Sequence, residues 1–340
     1  MTTGNMNRRE LLKRAGGAVI ASGAVATLAG ARVAGAEARI DADAVQGGQG
    51  SSSSSSPFFP GFTVSRIKTS GAELHVVKGG QGPPLLLLHG APQTHITWRL
   101  VAPQLMKGYT LVIPDLRGYG DSSKPPDTPD HVNYSKRNMA LDMVAVMKSF
   151  GFERFPVVGQ DRGGRVGHRL AVDHPETVTR LAVLDIVPTH YHYTHVNIDF
   201  VQAYPHWFNY LQPAPGPENT LKAQNDAAAA RAATDAAKEY SRVYTDLANL
   251  HGMCEDYRAS ASVDLKYDEE DLKNGRKVTA PLLTLWSTRG PIGRQFDVLN
   301  IWKGYANPAR VIGKGLDGGH YLQEDVPDAV VAEVTAFLRP

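Results

Sequence analysis

The chain has a single cysteine, Cys254, in 340 residues, which excludes an intrachain disulfide and any metal site built on a cysteine cluster. It has almost no charge excess: 36 Lys and Arg stand against 34 Asp and Glu, a net +2, which removes any global case for nucleic-acid binding. No uncharged apolar run is long enough for an internal membrane span. There is no internal repeat. His190, His192 and His195 are not completed into a convincing metal set by a nearby acidic or cysteine ligand. What is present is a chain 42% hydrophobic and 21% charged, enough to bury a sizeable core. The length would allow two domains, but one α/β domain of this size is ordinary.

Residues 1–36 read as an export signal. Asn7-Arg8-Arg9-Glu10-Leu11-Leu12-Lys13 is followed by an apolar stretch from Ala15 to Gly30. Ala34-Gly35-Ala36 then puts small residues before Glu37, where cleavage is expected. The pattern resembles a bacterial twin-arginine signal and implies an exported, periplasmic or extracellular protein, handled by the twin-arginine machinery. Removing these residues, five basic and one acidic, takes the net charge from +2 to −2 and leaves no basic arm for a membrane surface. Residues 37–57 include Gly47-Gly48-Gln49-Gly50 and the serines 51–56, and read as flexible linker. The folded unit is expected to start near Phe58.

Within that unit, Phe62 to Val77 predicts an opening hairpin around Ser70-Gly71. Pro84 to Leu88, Tyr109 to Ile113, Phe155 to Val158, Leu181 to Leu184, Leu282 to Trp286 and Arg310 to Ile312 are short apolar runs of the kind that form strands buried on both faces. Helices are expected at 135–150, with Ser135 as N-cap, at 163–174 and at 326–338. This alternation predicts an α/β fold with a mostly parallel sheet flanked by helices. Residues 187–277 break the rhythm. They are rich in aromatics and His up to Tyr210, then Ala-rich and helical from Ala227 to Tyr240. They read as a helical cap inserted between a first core part, 58–186, and a second, 278–340.

The most informative segment is Phe155-Pro156-Val157-Val158-Gly159-Gln160-Asp161-Arg162-Gly163-Gly164-Arg165. It is a strand, a G-x-D-x-G turn and a helix: the nucleophile-elbow pattern with Asp in place of Ser. A carboxylate needs no deprotonation to attack, and it can displace a leaving group from saturated carbon to give an enzyme ester that water then hydrolyses. Asp161 therefore points to dehalogenation or epoxide opening rather than ester cleavage. His89-Gly90-Ala91-Pro92 follows a buried strand, so the Ala91 and Arg162 backbone N–H groups are the expected oxyanion hole. His320, in Asp317-Gly318-Gly319-His320, is the expected base. Its carboxylate partner is expected to be Asp185, at the end of a strand on the same sheet edge as Asp161, with Asp297 as the alternative. The usual place for that acid reads Ser287-Thr288-Arg289-Gly290 and holds none.

From about Phe62 to Pro340 the chain resembles the haloacetate and fluoroacetate dehalogenases of the α/β-hydrolase fold. Asp161-Arg162-Gly163-Gly164-Arg165 is similar to the family's D-R-G-G-R, where other Asp-elbow enzymes usually carry Trp after the nucleophile. Leu184-Asp185-Ile186-Val187-Pro188-Thr189 matches as well and favours Asp185. The resemblance implies hydrolysis of a haloacetate or small 2-haloacid, with Arg162 and Arg165 holding the carboxylate. It implies a halide site at His206, Trp207 and Tyr257, carried by Tyr204-Pro205-His206-Trp207 and Asp256-Tyr257-Arg258. The arginine pair suits this chemistry, since guanidinium forks bind carboxylates bidentately. No metal or organic cofactor is implied, and a homodimer is left open. Ala91 stands where relatives often have Phe, Gln160 replaces the commoner His, and the segment between Trp207 and Tyr257 is shorter. Two rivals remain: an epoxide hydrolase using the same triad with acids among Tyr204, Tyr210 and Tyr257, and an exported binding protein without turnover.

Overall fold

The computed structural model describes residues 56–339. The expected export signal and residues 37–55 of the expected linker lie outside them. Ser56 is already buried and bridges to Phe59, so packing reaches into the segment expected to be linker.

Eight strands form one sheet: β1 (Thr63–Lys68), β2 (Glu73–Gly79), β3 (Pro84–Leu88), β4 (Thr110–Pro114), β5 (Phe155–Gln160), β6 (Val178–Leu184), β7 (Leu282–Ser287) and β8 (Val311–Leu316). Their order is β1-β2-β4-β3-β5-β6-β7-β8. β2 runs antiparallel to both its neighbours, β1 and β4; β4, β3, β5, β6, β7 and β8 are mutually parallel. The apolar runs explain the arrangement. Leu85, Leu86, Leu87 and Leu88 are fully buried, and side-chain alternation sends Leu86 and Leu88 to one face and Leu85 and Leu87 to the other. Each such leucine stabilises the fold by roughly 1.5–3 kcal/mol. β5 divides the same way, with Val157 on one side and Val158 on the other.

The helix Lys136–Ser149 begins at the expected cap, where Ser135 accepts from the Asn138 N–H. β8 runs four residues beyond the expected Ile312. Its Gly313 and Gly315 lie so close to Thr284, Thr288 and Trp286 that a Cβ would collide with their side chains, so here glycine permits close packing within a strand.

Between β6 and β7 the chain forms helices Thr189–Thr194, Ile198–Ala203, His206–Asn209, Gly216–Ala229, Asp235–Tyr244, Leu247–Ser260 and Val263–Lys273. The expected single helical run Ala227 to Tyr240 is two helices. Thr234 accepts from the Ala237 N–H and starts a new one, a capping signal hidden by the surrounding alanines. β6 and β7 still pair directly and in parallel, Leu184 beside Leu285, so the insertion leaves the sheet at its C-terminal edge and crosses back to the opposite edge, where β7 begins.

Candidate active site

Register gathers the site. Leu88 pairs with Gly159, Gln160 with Leu184, Leu184 with Leu285 and Ser287 with Leu316. The loops after β3, β5, β6, β7 and β8 therefore leave the sheet along one edge. They border a cavity of about 180 Å³ whose wall includes Ala91, Asp161, Arg165, Asp185 and His320 on the sheet side. Tyr204, His206, Trp207, Tyr210 and Tyr257 line it from the helices between β6 and β7.

Asp161 follows β5 at φ +45°, a left-handed conformation that non-glycine residues adopt at a cost. The turn is possible because Gly163 has no side chain: a Cβ there would stand 2.5 Å from the His89 and Leu88 carbonyl oxygens. One carboxylate oxygen, Oδ2, accepts from the Ala91 N–H at 3.1 Å. Arg162 opens the first turn of the helix Asp161–Asp173, where backbone N–H groups have no intrahelical acceptor. The loop that carries Ala91 is pinned from behind by His89, whose ring lies 2.9 Å from the Gly90 carbonyl at Nδ1 and accepts from the Leu116 N–H at Nε2.

Asp185, also left-handed at φ +53°, lies 2.6 Å from His320 Nδ1 through Oδ2. Its other oxygen accepts from the Ser287 N–H at 2.8 Å. Ser287, at the position where sequence comparison finds no acid, thus steadies the acid that comes from the neighbouring strand. Its hydroxyl also donates to the Gly318 carbonyl and accepts from the Gly290 N–H, tying the His320 loop to β7. Asp297, the alternative acid, is exposed and caps the helix Val298–Tyr305, accepting from the Asn300 N–H. It takes no part in the site. For His320, burial favours the neutral imidazole, but the Asp185 hydrogen bond and the Asp161 and Asp185 charges outweigh it and raise the ring above its ordinary value.

The two arginines differ. Arg165 forms part of the cavity wall, is 2% exposed, and donates to the Val187 carbonyl, the Thr189 hydroxyl and His192 Nδ1. None of these is an anion, and its Nε has no hydrogen-bond partner among the described residues. Arg162 does not line the cavity. Its Nε and Nη2 are taken by Asp256, with a further bond to Ser260, and only Nη1 is without a partner. The expectation that both guanidinium groups meet a substrate carboxylate is therefore revised: Arg165 faces the cavity, and Arg162 stands behind the Tyr257 ring, 4.1 Å from its centre, already balanced by Asp256.

His206, Trp207 and Tyr257 come together on the wall across from the sheet. Tyr257 is edge-on to both of the others at 5.9 and 5.8 Å between ring centres. Burial, with help from His320 and Arg162, lowers His206 to about 4, so its imidazole is neutral at pH 7 and offers an N–H. Burial holds the Tyr257 phenol well above its ordinary value, so it keeps its proton as a donor.

Sequence reasoning noted Gln160 only as a departure from the family and gave it no role; its amide lies 3.2 Å from both His320 Nε2 and the His320 carbonyl. Sequence reasoning missed His192 and the Asp256 counter-ion, which no local pattern marks. Of the three candidate histidines for a metal, His192 serves Arg165, His190 bonds Tyr305, and His195 stacks on Tyr191. Elsewhere His75, His95 and Asp115 bring ligand atoms within 4.8 Å of one another, as do Asp127, His251 and Glu255. In each the buried carboxylate is already held, Asp115 by His95 and Glu255 by Arg258 and His131. None of the six residues of these two clusters lines the cavity.

Residues 83–327 match the family of the alpha/beta hydrolase fold. A fluoroacetate dehalogenase from Burkholderia sp is 41% identical over 292 residues, 82% of this chain and 95% of that one. Epoxide hydrolase 4 from Mus musculus is 28% identical over 81% of this chain and 78% of its own length. A crystal structure from Nostoc sp PCC 7120, of a protein assigned to the α/β hydrolases, superposes with TM-score 0.77 at 45% identity, covering 82% of this chain and 98% of that one. A Pseudomonas aeruginosa protein named as a candidate epoxide hydrolase, solved as a mutant with bound MFA, gives TM-score 0.75 at 41% identity over 83% of this chain and 97% of its own. The sheet order, the Asp elbow and these likenesses lead to one assignment: the chain belongs to the α/β-hydrolase fold family and, within it, to the haloacetate and fluoroacetate dehalogenase group.

Proposed function

We propose that the protein hydrolyses a haloacetate or small 2-haloacid to the hydroxy acid and halide through an ester on Asp161. The observation that carries this reading is Arg165, a buried guanidinium on the cavity wall with no anionic partner among the described residues. Burying an unpaired charge is costly, and a substrate carboxylate supplies the missing anion. Arg162, paired with Asp256 behind the Tyr257 ring, does not line the cavity and takes no part in holding that group.

The Ala91 N–H holds Oδ2, which leaves Oδ1 of Asp161 to attack the carbon that bears the halogen. The new C–O bond forms as the carbon–halogen bond breaks, and the halide leaves with the bonding pair. His206, Trp207 and Tyr257 offer N–H and O–H dipoles to that growing charge. In the second step His320, held by Asp185, takes a proton from water as the water oxygen bonds to the ester carbon. Charge builds on Oδ2, where the Ala91 N–H already lies. Collapse expels the hydroxy acid's oxygen, which takes the proton from His320, and the regenerated Asp161 carboxyl group ionises. One halide and one proton appear per turnover.

Epoxide opening is a second reading, because Tyr204, Tyr210 and Tyr257 all line the cavity and each keeps its proton. A neutral epoxide leaves Arg165 without a partner, which ranks it below the haloacid. Incubation with fluoro-, chloro- and bromoacetate, with halide and proton release measured, decides between them. Halide release that disappears in Asp161→Asn, with His320→Gln accumulating a mass adduct on the Asp161 peptide, supports the proposal. Turnover of epoxides with none of any haloacid would replace it, and the absence of any turnover would favour a binding protein.

A further inference from the structure

The amide of Gln160 touches the base at the atom that must work. Gln160 ends β5 immediately before Asp161 and is fully buried. Its Nε2 lies 3.2 Å from His320 Nε2 and 3.2 Å from the His320 carbonyl oxygen. The carbonyl can only accept, so the amide's NH2 faces His320. The imidazole Nδ1, 2.6 Å from the Asp185 carboxylate, carries the other proton. His320 Nε2 is then a lone pair that accepts from Gln160. A single lone pair cannot accept this N–H and remove a proton from water at once.

We propose that Gln160 is a positioning residue that clamps His320 in its neutral form: its amide occupies Nε2 while Asp161 attacks, and must release it before water can be activated against the ester. The clamp acts on two points of one residue, ring and backbone, so it also fixes the loop that carries the base. When Nε2 takes a proton from water, two donors would face each other across that contact, and the amide must turn to present Oε1 or withdraw. Oε1 is itself buried without a partner among the described residues, as expected of a group with a second setting to adopt. The charged groups around His320 act in both directions. Asp185, beyond β6, and Asp161, at the helix start, favour its protonation. Arg165, one turn along that helix, opposes it, and His206 faces it from the helices between β6 and β7. The Gln160 donor adds to the opposing side, because a hydrogen bond to the neutral form disfavours the charged one. The assignment of the two-step chemistry rests on the proposed function; the titration below does not.

The experiment is a histidine titration by NMR on the full chain labelled with 15N-histidine, with His320 identified by its loss in His320→Gln. Removing the donor in Gln160→Met is expected to raise the His320 pKa by about half to one unit, the equivalent of one ordinary hydrogen bond. Gln160→Glu places a carboxylate against Nε2 and is expected to raise it further. A merely structural role would lower activity without moving this titration, so a His320 pKa unchanged in Gln160→Met overturns the clamp, while the rise in Gln160→Glu shows that a change at this position reaches His320. The parent provides a test that needs no variant: in protein labelled with 15N at glutamine and histidine, a coupling across the Gln160–His320 hydrogen bond is expected at high pH, and its absence there also overturns the clamp. With a haloacid that is turned over, the acidic limb of ester hydrolysis in Gln160→Met should move up by the same amount, while ester formation keeps its profile. If no haloacid reacts, the proposed function fails while the titration still decides on Gln160.

Discussion

Asp161 and Asp185 both sit at positive φ, and both turn a strand end so that a carboxylate faces the cavity. Strain at these two residues is the local expense of placing the proposed nucleophile and orienting acid on adjacent strands. Arg165 makes the sharpest test at this scale. Arg165→Gln keeps a polar side chain but removes the charge, so kcat/KM for haloacetates should fall about a hundredfold or more, the scale of a charged hydrogen bond in a dry site. Binding of a neutral haloalkane or epoxide should hardly change; equal losses for charged and neutral substrates would mean that Arg165 only supports the wall. In the proposed mechanism His320 sets the pH dependence. Its pKa is raised above 6.5 and the base works as the neutral ring, so ester hydrolysis should fall as pH drops through that raised value. Its effect on stability has the opposite sense. A raised folded pKa stabilises fully below the unfolded value and loses that contribution as pH rises through the folded one. The stability difference between parent and His320→Gln should therefore shrink from pH 6 toward pH 9, measured by thermal unfolding, while activity rises over the same interval.

At the scale of elements, a buried carboxylate, Asp256, ties the inserted helix Leu247–Ser260 to the core that surrounds the sheet. Asp256 accepts from Arg162 Nε at 3.0 Å and from the Tyr119 hydroxyl at 2.6 Å, and it pairs with Lys136. Arg162 and Lys136, together with the hydrogen bonds they donate, hold Asp256 well below the usual carboxylate range against the opposing effect of burial. Asp256→Asn leaves two buried cations short of their counter-ion, which should cost about 3–5 kcal/mol. Denaturant unfolding measures this, and halide affinity should fall with it because Tyr257 is the next residue on the same helix. An Asn variant of parental stability would show that the pair does not anchor this helix. The strands and the Ser135 cap were legible because burial on both faces and capping leave local signatures. The break at Thr234 and the length of β8 were not. In the first an alanine-rich background masked a capping residue, and in the second two glycines looked like a strand end although they serve contact with Trp286.

For the molecule as a whole, the same division explains what the sequence could show of the site. Asp161 and Asp185 stand directly after strands and His320 in the loop after β8, each with a recognisable neighbourhood, and sheet order brings them together. The partner of Arg162 lies 94 residues away on another element, and Gln160 reaches a residue 160 positions on; such contacts have no local pattern and exist only after folding. That the site depends on distant contacts bears on where the protein works. We propose that residues 1–36 direct export by the twin-arginine route, on the strength of Arg8-Arg9 and the apolar stretch to Gly30. This route carries folded proteins, and nothing here requires an oxidising compartment to fold: the single cysteine, Cys254, is buried and needs no partner. The enzyme should therefore be competent before it crosses. In a host with the twin-arginine machinery, the parent should be recovered outside the cytoplasm with a new N-terminus at Glu37. A variant with both Arg8→Lys and Arg9→Lys should stay inside at full length and release halide at the parental rate. Parent retained at full length in the cytoplasm would overturn the export assignment, and an inactive retained variant would show that the site is completed only after the segment is removed.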